Sequence, residues 1–324
     1  MKKMTSVLAG TACSLTLATS AFAEKWDMPV AYPATNFHTE TAVAFTKCVA
    51  DSTKGGLEIV THANGSLFAG NDIKRAVQTG QAPIGERLLS AHANENPLFA
   101  VDSIPFLASS FDASNKLWSA AREKVSAALE AQNLIYVYAV PWAPQGLFTK
   151  KPVASAADLK GVKFRAYNAA TARIAELAGM VPVQIEAAEL SQALATGIAD
   201  SFVSSGSTGV DSKVWDSLKY FYDVQAWLPR NVVFVNKGAY DGLDDASKKA
   251  LMDCGAKAAE AGEATSRKLT AQYLKTFAEN GMTVSDPTAQ LKNDLHGYGA
   301  TMTDEWLAKA GADGKAIIDA YKAK

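Results

Sequence analysis

Two periods of hydrophobic patterning alternate along this chain. Trp26 to Ala31 and Leu57 to Thr61 read as strands, and between them Ala42, Phe45 and Val49 recur at helical spacing over Thr39 to Thr53, stopped by Gly55-Gly56. Asn71-Asp72 opens a short helix carrying Ile73, Ala76 and Val77, which Gly80 ends. The alternation continues with a helix over Asp112 to Gln132 and a β-rich run from Leu134 to Val140. Then come a strand over Val162 to Ala166, a helix over Ala169 to Leu177, a strand over Val181 to Ile185, a helix over Glu189 to Thr196 and a strand over Ser201 to Ser204. This predicts an α/β architecture with substantially parallel sheets. From Ser247 to Asn280 the pattern becomes one long helix, and the chain after Pro287 is again mostly helical. Extended segments at Pro141 to Lys151 and Val232 to Val235 are the candidate crossings between domains.

Length and composition narrow the class. The 324 residues suit one large or two ordinary domains, and 48% apolar with 20% charged residues is the balance of a folded soluble protein. Lys and Arg (32) almost balance Asp and Glu (33), and no basic run exceeds two residues, so no nucleic-acid footprint is expected. The N-terminus has the parts of a secretory signal peptide: basic Met1-Lys2-Lys3, an uncharged stretch from Val7 to Phe22, and Ala21-Phe22-Ala23 as the cleavage site before Glu24. That stretch is too short and too interrupted to span about 30 Å of hydrocarbon comfortably. Export to the periplasm is therefore expected, with residues 1–23 removed. The mature chain keeps Cys48 and Cys254, which either bridge in an oxidising compartment or remain as small core thiols.

Catalytic motifs are absent. There is no G-x-G-x-x-G after a strand, no phosphate-binding G-x-x-x-x-G-K-[ST], no H-E-x-x-H and no G-x-S-x-G, and the four histidines are far apart in sequence. Ser205-Gly206-Ser207-Thr208-Gly209 reads as a turn. No enzyme, cofactor or metal site is expected. The segment with chemistry is Asp158-Leu159-Lys160-Gly161-Val162-Lys163-Phe164-Arg165-Ala166-Tyr167-Asn168-Ala169-Ala170-Thr171. Arg165 stands near the C-terminal end of a strand, where ligands of open α/β sheets gather, and Asn168 stands where a helix N-cap is wanted. A guanidinium there either grips a carboxylate with its planar fork or pairs with a surface acid.

That segment resembles the signature of the TRAP-transporter periplasmic solute-binding proteins, the DctP-like family. Gly65-Ser66-Leu67 with Gly80-Gln81, Asp102-Ser103-Ile104-Pro105-Phe106, and Ala193-Leu194-Ala195-Thr196-Gly197-Ile198-Ala199-Asp200 resemble further family patterns in the same order. The resemblance implies a two-lobe binding protein fold with a cleft, long connecting strands and a long helix spanning both lobes. The expected division is 24–141 plus about 235–280 for one lobe and 142–234 plus about 281–324 for the other. It also implies that Arg165 pairs with a substrate carboxylate, and that membrane subunits of the transporter are the partners. Gln145 stands where many members carry a second arginine, and Ser204 where many carry asparagine. Losing one positive charge favours a monocarboxylate, with a hydroxylated or sugar acid preferred over an aromatic or aliphatic one. A secreted small-acid enzyme on the same frame is the alternative.

Around this anchor, Glu86 is expected either to accept hydrogen bonds from ligand hydroxyls or to pair with Arg87 or Arg165. Trp142 and Trp227 are candidate pocket walls or core residues. Asn231 either donates to the ligand or caps a turn. Tyr32, Asn36 and His38 follow the first strand, where its C-terminal loop reaches the cleft.

Overall fold

The computed structural model describes residues 24–323, so the expected signal peptide lies outside the described residues. The first part of the chain runs β1 (Glu24–Pro29), α1 (Phe37–Ser52), β2 (Leu57–His62), α2 (Ile73–Gln78), β3 (Ile84–Leu88), α3 (Phe111–Glu130) and β4 (Leu134–Pro141). Next come β5 (Gly146–Thr149), β6 (Lys163–Ala166), α4 (Ala169–Leu177), β7 (Val181–Gln184), α5 (Leu190–Ala195), β8 (Ser201–Ser204), α6 (Gly206–Asp211) and β9 (Tyr220–Tyr222). The chain closes with β10 (Arg230–Asn236), α7 (Lys237–Gly242), α8 (Asp245–Glu279), β11 (Thr283–Ser285) and α9 (Ala289–Ala323).

These elements make two lobes. In the first, β1 and β2 pair in parallel around α1, and β3, β10 and β4 form a second sheet with β10 in the middle. In the other, six strands are ordered β11-β9-β5-β8-β6-β7. The expectation of substantially parallel sheets holds for half of the strand pairings among the described residues: β1–β2, β6–β7, β6–β8 and β9–β11 are parallel. β10 is antiparallel to both neighbours, and β5 is antiparallel to β8 and β9, while β6 pairs in parallel with β7 and β8. Patterning reports which residues are buried; the direction of a neighbour depends on how the chain returns, which patterning does not encode.

The outgoing crossing, 142–145, lies within the expected Pro141 to Lys151, but the return crossing falls elsewhere. Val232 to Val235, expected at a crossing, is the fully buried centre of β10 in the first lobe's sheet. The return connection is the segment 223–229. It runs beside the outgoing segment 142–145: Trp142 N–H donates to Pro229 O, Gln145 N–H to Trp227 O and Ala226 N–H to Gln145 O. A β-strand buried on both faces reads as an unbroken apolar run, which is why β10 resembled a linker strand.

Two long helices tie the lobes together. α8, 35 residues long, packs on α1 and β4 of one lobe and on α6 and β11 of the other. α9 packs on α3 and on the 3-10 turn Pro97–Ser103 of the first lobe, and on α4 of the second. Cys48 of α1 and Cys254 of α8 are bridged, which settles the choice between bridge and free thiols. In the second lobe Phe148, Phe202, Phe221 and Phe277 form an aromatic core, the first two stacked at 4.4 Å. The turn into β5 is possible only without a side chain, because a Cβ on Gly146 would stand 2.2 Å from the Phe221 ring.

Candidate functional site

The cleft holds a cavity of about 30 Å³ between the lobes. Its wall is made by the loop after β1 (Tyr32), by β3 (Arg87, Leu88) and by the two crossing segments (Trp142, Gln145, Pro229). The second lobe supplies β6 and its exit (Arg165, Tyr167), the turn after β7 (Glu186, Ala187), and the end of β8 with the start of α6 (Ser204, Ser205, Thr208).

Arg165 dominates its electrostatics. The side chain is 3% exposed, its Nε donates to Ile185 O at 2.9 Å, and the guanidinium carbon lies 4.9 Å from the centre of the Tyr167 ring. Among the described residues no carboxylate comes within ion-pair distance of it. Burial brings the guanidinium down to about 10, although the neighbouring Tyr167, Glu186 and Tyr32 pull the other way. A buried cation without a counter-ion is costly, and an anion in the cavity relieves that cost.

The surrounding groups are held in defined orientations. The Tyr167 hydroxyl, pushed upward by burial, donates to Gln145 Oε1 at 3.0 Å, and Gln145 Nε2 donates to Ala143 O. Tyr32, pushed up to about 12 by burial, packs edge-on against Trp142 at 4.8 Å. Arg87 Nη2 donates across the cleft to Glu186 Oε2 at 3.1 Å and within its own lobe to Asn71 Oδ1 at 2.6 Å.

Of the residues singled out from sequence, Arg165, Gln145, Ser204, Trp142 and Tyr32 line the cavity. The other six do not, and each has a physical reason. Successive strand residues face opposite ways, so on β3 it is Arg87 that reaches the cavity while Glu86 turns into the first lobe. There Glu86 receives Asn231 Nδ2 at 3.1 Å and lies 3.4 Å from His38 Nδ1, not beside Arg87 or Arg165. Burial pushes His38 down, against the Glu86 carboxylate that favours its charged form. Asn231 also accepts from the Trp142 indole at 2.7 Å, so it buttresses the wall from behind. Trp227 is fully buried next to Tyr167, as core.

Asn36 and Asn168 bridge the lobes. Asn36 caps α1 and its Nδ2 donates to Ser207 Oγ and Asp211 Oδ2 at 3.0 and 2.7 Å. Asn168 caps α4, as its position predicted, and its Nδ2 donates to Ser90 Oγ at 3.0 Å.

Sequence reasoning missed Tyr167, Glu186, Ser205 and Thr208, and noted Arg87 only as a partner for Glu86. Ser205 and Thr208 carried a readable signal: Ser205 caps α6 by accepting from Thr208 N–H, where a turn was expected. Glu186 had none, because only the pairing of β6 with β7 brings its turn beside Arg165.

A cavity between two lobes joined by paired crossing strands, with a buried guanidinium in its wall, is the arrangement of a solute-binding receptor. The chain belongs to the DctP family, the bacterial extracellular solute-binding proteins of family 7, whose pattern matches residues 30–309. It is the extracytoplasmic receptor component of a TRAP transporter and works with that transporter's membrane subunits. Among the described residues no helix is long and apolar enough to cross a membrane.

Three solved structures illustrate the likeness. A marine-metagenome TRAP solute-binding protein specific for pyroglutamate is 54% identical, with 93% of this chain and 99% of that chain covered and a TM-score of 0.92. The Bordetella pertussis receptors DctP6 and DctP7, both binding pyroglutamic acid, are 48% and 46% identical, each over 93% of this chain and 100% of theirs, with TM-scores of 0.91 and 0.92.

Proposed function

We propose that this receptor captures pyroglutamate, the cyclic amide of glutamate, in the periplasm and delivers it unchanged to the membrane subunits. The observation that carries the reading is Arg165: a buried guanidinium in the cavity wall that lacks an ionic partner among the described residues. It calls for one carboxylate. A second carboxylate would find Arg87 already neutralised by Glu186, so a dicarboxylate is disfavoured. A sugar acid, the ligand preferred from sequence, meets an aromatic and apolar wall at Tyr32, Leu88, Trp142, Ala187 and Pro229, which leaves part of its hydroxyl ring without partners. The hydroxyl acceptor invoked for such a ligand, Glu86, also faces away. Relatives of 46–54% identity that bind pyroglutamate support the same choice.

In this reading Arg165 grips the carboxylate, the hydroxyls of Ser204, Ser205 and Thr208 line its surroundings, and Trp142 and Tyr32 wall the ring. Ligand contacts both lobes only when they are closed, so binding shifts the equilibrium to the closed form. Residues 1–23 serve as the export signal.

The test is a thermal-shift panel on protein unfolded and refolded to strip bound ligand, with pyroglutamate, proline, glutamate, sugar acids and short hydroxy acids. Ligand at 100 times Kd adds about 2.7 kcal/mol of stability. Stabilisation by pyroglutamate supports the reading; stabilisation by sugar acids without pyroglutamate refutes it.

A further inference from the structure

We propose that the Arg87–Glu186 ion pair is the specificity element of the cavity, reading the N–H and C=O of a cyclic amide together: Glu186 accepts from the ring N–H while Arg87 donates to the ring C=O. The proposal rests on the pyroglutamate reading and adds what distinguishes that ligand from other small ring acids.

Arg165 recognises any carboxylate, so it cannot select a lactam. The remaining charged groups of the wall are Arg87, 3% exposed, and Glu186, the one carboxylate among the described lining residues. Their side chains meet at 3.1 Å, placing a donor and an acceptor side by side with no net charge. A cyclic amide presents the complementary edge, because the ring forces N–H and C=O onto the same side. An open-chain amide is trans and presents them on opposite sides. Both partners have capacity left. Arg87 Nε is buried and forms no hydrogen bond, and an ionised carboxylate offers about four acceptor sites, of which Arg87 engages only part.

The pair is also held in place. Asn71 Oδ1 accepts from Arg87 Nη2, and the bare backbone of Gly70 fits against both partners: a Cβ there would lie 2.8 Å from Arg87 Nη1 and 2.8 Å from Glu186 Oε2. Arg87 comes from the first lobe and Glu186 from the second, so the reading edge is assembled by closure itself.

Calorimetry with three ring acids tests this: pyroglutamate, the lactone that replaces its N–H by oxygen, and cyclopentanecarboxylate, run on wild type and on Glu186→Gln. A site that leaves a buried acceptor unpaired rejects the wrong analogue, so wild type is expected to prefer the lactam over the lactone by about 100-fold. Glu186→Gln, which offers an amide N–H in place of one carboxylate oxygen, is expected to cut that preference to under about tenfold, read as the lactam-to-lactone ratio within the variant so that a common change in closure or in Arg87 charge cancels. A wild-type preference below tenfold overturns the proposal, as does a preference that survives in Glu186→Gln. The wild-type comparison needs no variant, so a folding defect cannot shelter the idea. If wild type binds pyroglutamate and lactone alike, only this inference falls. If it binds neither while another acid binds through Arg165, the pyroglutamate reading falls with it.

Discussion

Replacing Arg165 by methionine separates the cost of a binding group from its use. The guanidinium, held at about 10 by burial instead of 12.5, carries roughly 3 kcal/mol of uncompensated desolvation, at 1.36 kcal/mol per pH unit. For a base with a lowered pKa the charged form is disfavoured in the folded state. The cost is therefore present throughout the range below pH 10. Methionine fills similar volume without charge, but forfeits the Nε bond to Ile185 O, worth about 1 kcal/mol. Opening of the cleft hydrates the wild-type side chain and returns part of the penalty. The unliganded variant is thus expected to be between unchanged and about 2 kcal/mol more stable than wild type, a rise of up to roughly 4–8 °C in Tm. Ligand affinity moves the opposite way. Truncating one member of a buried charge pair costs about 2–5 kcal/mol, or roughly 30- to 5,000-fold in Kd. Differential scanning calorimetry with and without pyroglutamate reads both effects. A variant that melts lower than wild type without ligand yet gains as much from ligand would refute the assignment of Arg165 as anchor.

Other perturbations test the frame around the anchor. Cys254→Ser opens a loop of sequence separation 206 and should lower unfolding free energy by about 3–5 kcal/mol in denaturant titrations, while calorimetric ligand affinity stays within about twofold. Asp211, pushed up to about 6 by burial with Glu40 adding to the shift, receives Asn36 from the opposite lobe. An acid with a raised pKa is disfavoured in its charged form, so the closed state gains as pH falls from 7 through 6 towards 4. Ligand affinity should rise roughly five- to tenfold between pH 7 and 5, and Asp211→Asn should flatten that dependence. Gly146→Ala drives a methyl into the Phe221 ring and should cost about 3 kcal/mol or more, seen as a large loss of Tm; a silent substitution would show that the β5 turn is not tightly packed. Asn168→Ala removes both the α4 cap and the bond to Ser90, and should cost about 1 kcal/mol of stability, with a several-fold loss of affinity because one link between the lobes is gone.

Local periodicity determined the elements, since each helix and strand must bury one face whatever surrounds it: α1, α3, α4, α8 and β2, β4, β6, β7 and β8 all fall within a few residues of where hydrophobic spacing and stop signals put them. The family motif determined where the proposed anchor stands, because Arg165 and Asn168 take their positions from a strand-to-helix turn encoded in 14 consecutive residues. The direction of β10, the crossing at 223–229 and the Cys48–Cys254 bridge depended on how distant segments return to one another, which no local pattern records. The same holds for the second half of the site. Arg87 and not Glu86 faces the cavity because of one residue of strand register. Glu186, Ser205 and Thr208 join it because lobe closure brings together turns more than 90 residues away from Arg87. The anchor is a property of one short segment. The pocket around it is a property of two lobes meeting, and only the tertiary structure decided what that meeting encloses.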